Sequence, residues 1–440
     1  MDRSLWAVLA GTFTLRFSTG LTGAMLGFYL ASLPAHGGPN VDGVIVGLFA
    51  ATFFAAELIM SPVFGLLSDR YGHHRVMLFG PIFGGVAVIL TGLTTNLLLL
   101  GGTRFLEGLS TAASVPSILG YIALATAGNE LLRGQAAARF EGATLAGLGA
   151  GFIVAPKLFE ALGPTAFFLN AVLYGGSFLI YWLGVKDPAG EDEAVQATHV
   201  GYRRYATLIR SSHVLLLAPT WIAINASIGL WLSQSLFQFA KANPDFPDQT
   251  LMGGFTADEI TLAAIAIAIV FGAGLLYWGN RFKNLRRTTI ILYGIVGGGV
   301  LVAAGLLVNH AGGLPLAIAI VGVVGAGAGL FVLAGATPAA LGLLADISER
   351  FPADRGAIMG LYSVFLAIGQ ITGALIGGIA ADLRGIDGML IATAGLLVIA
   401  LIPLSRLRDE EHQLDGGGIG AVGGSGGIGG IGSEMEGTAS

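Results

Sequence analysis

Bilayer-length apolar runs recur from one end of this 440-residue chain to the other, and that recurrence excludes most folds. About 20 predominantly apolar residues in helical form cross a hydrocarbon core. Twelve such spans can be drawn, at 5–33, 42–68, 76–95, 97–126, 136–161, 164–184, 213–240, 259–280, 288–309, 314–345, 356–381 and 386–406. Charged residues are 11% of the chain against 54% hydrophobic, where a soluble domain carries roughly a quarter charged residues. The chain lacks the polar surface to cover itself in water. The expected fold class is an all-α polytopic membrane protein with twelve transmembrane helices. Its opening apolar stretch continues past Arg16 to Leu33, longer than the core of a cleaved leader, so Leu5 is read as the start of the first span.

Lys and Arg set the orientation. Alternate loops hold Arg70 and Arg75, Arg133 and Arg139, Lys186 through Arg210, Arg281 through Arg287, and Arg350 and Arg355; Arg3, Arg406 and Arg408 lie at the two ends. The opposite loops carry Lys157, Lys241 and Arg384. Both termini are therefore expected on the cytoplasmic side of the inner or plasma membrane.

The longest internal polar stretch, Lys186 to Arg210, separates six spans from six. This predicts a six-helix bundle over 5–184, a cytoplasmic linker over 185–212 and a second six-helix bundle over 213–407. Arg133-Gly134 before the fifth span and Arg355-Gly356 before the eleventh faintly repeat one another, as do Gly142 and Gly151 against Gly360 and Gly369. Paired halves recur among secondary transporters, which bind solutes between them near the midplane. Residues 408–440 are Gly-rich, a composition that buries no core and reads as a disordered cytoplasmic tail.

One polar stretch has a pattern of its own. Gly65 to Arg75 reads GLLSDRYGHHR between two apolar runs, and Asp69 sits just past the end of the first. A helix C-terminus carries partial negative charge, so an acid there needs a partner from elsewhere. The spacing of Gly65, Asp69, Arg70, Gly72 and Arg75 resembles the signature loop between the second and third helices of the major facilitator superfamily. His73-His74 stands where that family usually places basic residues. The resemblance, which extends over about Leu5 to Arg406, implies a latch: Asp69 caps a helix of the opposite half, near Gly356 and Ala357, in an outward-facing state.

Charges inside spans are costly and mark candidate sites. Arg16 and Glu57 fall near the middle of the first and second spans, at comparable depth. They form either a proton- or substrate-handling pair or a structural ion pair between neighbouring helices. A carboxyl taken out of water holds its proton more readily, as a proton-coupled carrier requires. Arg104 and Glu107, spaced i, i+3, share a face of the fourth span. Arg104-Phe105-Leu106-Glu107-Gly108 resembles a second signature of the family, whose arginine is linked to proton coupling; Glu107 is then a second proton carrier or a neutralising partner.

In the fifth span, Gly147, Gly151 and Ala155-Pro156 are spaced for close helix packing. The pattern resembles the signature of the family's drug/H+ antiporter branches, which end in Gly-Pro, and Lys157 follows it unusually. The seventh span carries Asn225, Trp231 and Gln234; these, with Gln370 in the eleventh, are candidate cavity residues, and Trp231 is equally a packing residue.

No cysteine is present, so disulfide and thiolate chemistry are excluded. No phosphate-binding lysine loop, metal-ligand set or hydrolytic triad is visible, and the basic residues follow the membrane faces instead of forming a nucleic-acid patch. The expectation is no enzyme, no cofactor beyond a proton gradient, and no obligatory protein partner. The chain is read as a secondary transporter working by alternating access, driving H+-coupled efflux of small amphiphilic compounds. Alternatives are a metabolite importer of the same fold and a transport-inactive scaffold or sensor.

Overall fold

A computed structural model describes residues 2–186, 214–281, 285–349, 355–404 and 406–408, with side chains for all of these except 130, 214–216, 345–349, 355–360 and 362. Most of the expected linker and the tail beyond 408 therefore lie outside the described residues. The described chain is helical throughout its spans. We number the helices α1 (Arg3–Ala31), α2 (Gly43–Tyr71), α3 (His73–Leu93), α4 (Leu97–Ala125), α5 (Glu130–Leu162), α6 (Ala166–Gly184), α7 (Val214–Ala240), α8 (Ala257–Arg281) and α9 (Arg287–Asn309). A tenth, α10, runs over Leu316–Leu333 and, after a turn, Ala336–Glu349. The last segment, Arg355–Leu401, breaks at Arg384 and Gly385 into α11 (355–383) and α12 (386–401). The chain is thus a polytopic α-helical membrane protein. Among the described residues, eight stretches are long and apolar enough to cross a bilayer, and two of these each contain a helix pair. α1, which carries Arg16 and several Ser and Thr, and α7, whose first three side chains lie outside the described ones, are not among them.

Two boundaries differ from the sequence reading. The 65–75 stretch is not a turn: α2 continues through Tyr71, and the chain breaks only at Gly72 (φ 96°, ψ 136°) before α3 begins at His73. That positive φ is open to glycine and strained for other residues. The tenth span, drawn unbroken over 314–345, bends at Ala334-Gly335. There the Trp278 indole packs against the backbone where a Gly335 side chain would stand, and Trp278 Nε1 donates to Phe331 O (3.0 Å).

Apolar burial falls into two groups. One core is built from Leu217 to Leu407; the others gather mainly residues between Leu5 and Val185. Within the first group of helices, α1 is bound to α6 by polar contacts. Asn170 Nδ2 donates to Ser18 O (3.0 Å) and Thr22 Oγ1 (2.8 Å), and Ser177 Oγ donates to Gly11 O (2.9 Å). Such interhelical bonds are worth about 0.6 kcal/mol each in a membrane. α1 meets α5 through glycine: Gly20 lies on Leu148 O, Gly147 on Phe13 O, and Gly151 on Phe17 O. Gly147 and Gly151 are therefore helix-packing residues, as their spacing predicts, and Pro156 is buried beside Ala155.

The two groups meet at the end of the molecule away from Arg3 and Arg408. There Leu236, Phe237 and Ile260 join the core of the first group, and Gly27 lies against Leu236.

Candidate functional site

The functional side chains fall into a polar centre among α1, α2, α4 and α6, and a junction between the two helix groups.

Arg16 is buried at the middle of α1, and its Nη1 donates to Thr111 Oγ1 on α4 (3.4 Å). Glu57 is the fifteenth of the 29 residues of α2, half-buried, and lies within electrostatic reach of Arg16. The direct Arg16–Glu57 ion pair read from their matching depth does not form: Arg16 is turned toward Thr111, and no ion pair joins Arg16 to Glu57 among the described residues. Arg104 and Glu107 are in direct ion contact on α4, both buried. Arg104 also lies over the Phe53 ring of α2, 4.9 Å from its centroid, an arrangement in which the ring quadrupole attracts the cation. Tyr174 of α6 is within electrostatic reach of both Arg16 and Arg104, and its hydroxyl lies 3.4 Å from Thr19 Oγ1. One centre thus brings Arg16, Glu57, Arg104 and Glu107 together, with Glu107 neutralised locally and Glu57 not. Tyr174 belongs to it and was missed because an aromatic in an apolar run carries no charge signal.

The residues read from the 65–75 stretch sit at the end carrying the termini. Asp69 is exposed in the last turn of α2, with His73 Nε2 3.9 Å away. Arg70 stacks on Tyr71 at 5.4 Å, and Arg75 is exposed. Gly65 faces Pro116 of α4. His73 is buried against Gly120, and His74 Nε2 donates to Tyr181 O (3.1 Å). The surroundings of Gly356 and Ala357, the expected partners of Asp69, lie outside what the structure describes.

The seventh-helix amides are already engaged. Asn225 is buried against Gly369, and its Nδ2 donates to Trp221 O of its own helix (2.9 Å). Gln234, fully buried, donates from Nε2 to Gly43 O of α2 (2.9 Å) and accepts from Gln238 Nε2 (3.3 Å). Trp231 Nε1 donates to Thr393 Oγ1 of α12 (3.0 Å), which is the packing alternative. Gln370 packs on Gly229, with its Oε1 buried and without a hydrogen-bond partner. Their polarity suggests a cavity; in the structure Gln234 and Trp231 use it to tie α7 to other helices, and Asn225 bonds within its own helix.

The junction itself is what sequence reading missed. Asp382, near the end of α11, accepts from Gly43 N (2.6 Å) and Val44 N (2.9 Å) at the start of α2. Lys241 Nζ donates to Val41 O (2.9 Å). Lys157 pairs with Asp258 at the start of α8 (2.5 Å) and with Glu160 (2.7 Å). The available signal was the scarcity of cations in these loops, two of which, Lys157 and Lys241, prove to be inter-group contacts.

Two groups of membrane helices around buried charges, joined at one end by polar contacts, form the arrangement of a membrane transporter. The Major Facilitator Superfamily model matches residues 8–332 and again 235–421, and the chain belongs to that family. It is similar to multidrug resistance protein 1 of Bacillus subtilis (strain 168), at 25% identity over 352 residues covering 78% of this chain and 82% of that protein. It is also similar to the quinolone resistance protein NorA of Staphylococcus aureus (strain MSSA476), at 23% identity over 434 residues covering 94% and 100%. In fold it resembles the crystal structure of the nucleoside transporter NupG, with a TM-score of 0.70 at 14% identity, covering 92% of this chain and 99% of that one.

Proposed function

We propose that the chain exports small amphiphilic organic compounds against an inward flow of protons, by alternating access between its two helix groups. Relatives named for multidrug and quinolone resistance support the direction and the substrate class. The observation that carries the proton coupling is the unequal state of the two buried acids. Glu107 is held by Arg104, whereas Glu57 lies half-buried at mid-membrane near Arg16 without an ion-pair contact. A carrier of protons must be free to bind and release one, so Glu57 takes that role and the Arg104–Glu107 pair holds the cation over Phe53. The Lys and Arg distribution supports cytoplasmic termini, and with that orientation this conformation is closed on the outside. The departure of Ala155-Pro156 from the antiporter signature favours a second reading, inward transport of a metabolite.

The test is substrate-induced proton movement in proteoliposomes, over a panel of cationic and neutral amphiphiles. Efflux that acidifies the compartment the substrate leaves is expected in wild type and should be lost in Glu57→Gln. Transport indifferent to a collapsed pH gradient removes the proton-coupling reading, and counterflow with reversed direction replaces export by import.

A further inference from the structure

We propose that Asp382 is the gate residue of the far end: its carboxylate caps helix α2 across the junction, and transport requires that cap to be released and remade. The inference rests on the alternating-access reading above and adds the group that holds one of the two states.

The backbone of α2 shows why. The first four N–H groups of a helix have no partner within it, and buried or half-buried N–H groups need one. In α2 the N–H groups of Gly43, Val44 and Ile45 precede the first i→i−4 bond, which Val46 N makes to Asp42 O (3.3 Å). Ile45 N donates to the Asp42 carboxylate (2.8 Å), a local cap. Gly43 N and Val44 N donate to the two oxygens of Asp382, 339 and 338 residues away. Of these three N–H groups one is thus satisfied by its own chain segment, and two by the other helix group. The negative carboxylate also meets the positive end of the α2 dipole.

The surrounding backbone is shaped for this contact. Gly43 lies on Gly378 O as well as on the Asp382 carboxylate, Gly378 lies on Gly43 O, and Gly47 lies on Ala374 O. Gln234 holds Gly43 O from α7. Lys157–Asp258 forms a second tie between α5 and α8. When the groups separate at this end, Gly43 N and Val44 N exchange Asp382 for water. That exchange is cheap enough to cycle, yet it carries the weight of a helix cap.

The chain has no native cysteine, so spin labels can be placed at will. One pair, Asn40→Cys with Asp245→Cys, reports the far end; a second, Leu131→Cys with Arg281→Cys, reports the end carrying the termini. All four positions are exposed. Distances are measured by double electron–electron resonance in nanodiscs at pH 5 and pH 8, with and without a transported amphiphile. In the wild-type background the two distances are expected to change in opposite senses. Asp382→Ala should lower the closed-to-open ratio at the far end about fivefold, the usual weight of a helix N-cap, and Asp382→Asn, which keeps an acceptor, should lower it less. Wild-type distances that change together in opposite senses, with Asp382→Ala indistinguishable from wild type, overturn the gate and leave alternating access standing. Distances in wild type that never move in opposite senses overturn both.

Discussion

Arg104 and Glu107 form an ion pair one turn apart on α4, with 8% and 2% of their surface exposed. Breaking a buried pair by removing one partner leaves a charge without compensation, at about 3–5 kcal/mol. Glu107→Gln is therefore expected to lower thermal stability in detergent sharply. The double replacement Arg104→Leu/Glu107→Leu should be milder, because removing both charges together avoids that penalty. Trp-fluorescence melting curves read the difference; a Glu107→Gln protein as stable as wild type would sink the structural role assigned to Glu107.

Glu57 should behave in the opposite way. It has electrostatic contact with Arg16 but no ion pair, so Glu57→Gln is expected to melt within about 1 kcal/mol of wild type, in the range of small substitutions. Its effect should appear in proton-coupled flux alone. Melting curves and flux on the same preparations separate the cases, and a strongly destabilised Glu57→Gln would make it a structural residue.

Lys157 and Asp258 join α5 to α8 through side chains that are 42% and 79% exposed. Pairs of that exposure contribute roughly 0–1 kcal/mol and weaken with salt. Lys157→Glu should shift the far end toward opening, Lys157→Glu with Asp258→Lys should restore it, and 1 M salt should erase the difference. The Asn40/Asp245 label distance measures all three; a double reversal no better than the single one would show that the contact is incidental.

Trp231 reads from sequence as a cavity residue or a packing residue, and its indole N–H is committed to Thr393 at 3.0 Å. Trp231→Phe is expected to cost about 1 kcal/mol of stability, the net value of one hydrogen bond, with substrate affinity nearly unchanged. A tenfold loss of affinity without loss of stability would return the tryptophan to the substrate.

The helices were legible because a bilayer imposes one length on apolar runs, and the glycine contacts of Gly147 and Gly151 followed from four-residue spacing. The α2–α3 boundary was misread because charge was taken to end a helix. α2 carries Asp69 and Arg70 within its last turn, and its end is set by the backbone of Gly72. Asn225 and Gln234 were misplaced for a related reason: polarity announces that a side chain avoids lipid, not whether its partner is substrate or another helix. The Gly43–Asp382 contact was hidden by chain separation. Neither residue is unusual alone, since Asp382 resembles any loop acid and Gly43 is one of 70 glycines.

Gly43 gives the sharpest check on that junction. A side chain there would come within 2.8 Å of the Asp382 carboxylate and 2.9 Å of Gly378 O, and the Gly378 backbone cannot withdraw without opening the contact. Overpacking of this kind costs about 1–3 kcal/mol. In Gly43→Val that cost falls on one conformation alone, because the crowding atoms belong to the other helix group. The expected outcome is a protein that inserts and melts normally but is shifted toward far-end opening by roughly 5- to 150-fold, from the same energies. Leu236, 5% exposed and packed on Gly27 at the junction, is a suitable reporter once replaced by cysteine. Labelling of Leu236→Cys by a membrane-impermeant maleimide from outside should be slow alone and fast when combined with Gly43→Val. Equal rates would mean that α2 and α11 do not control the far end, whatever the packing of the closed state.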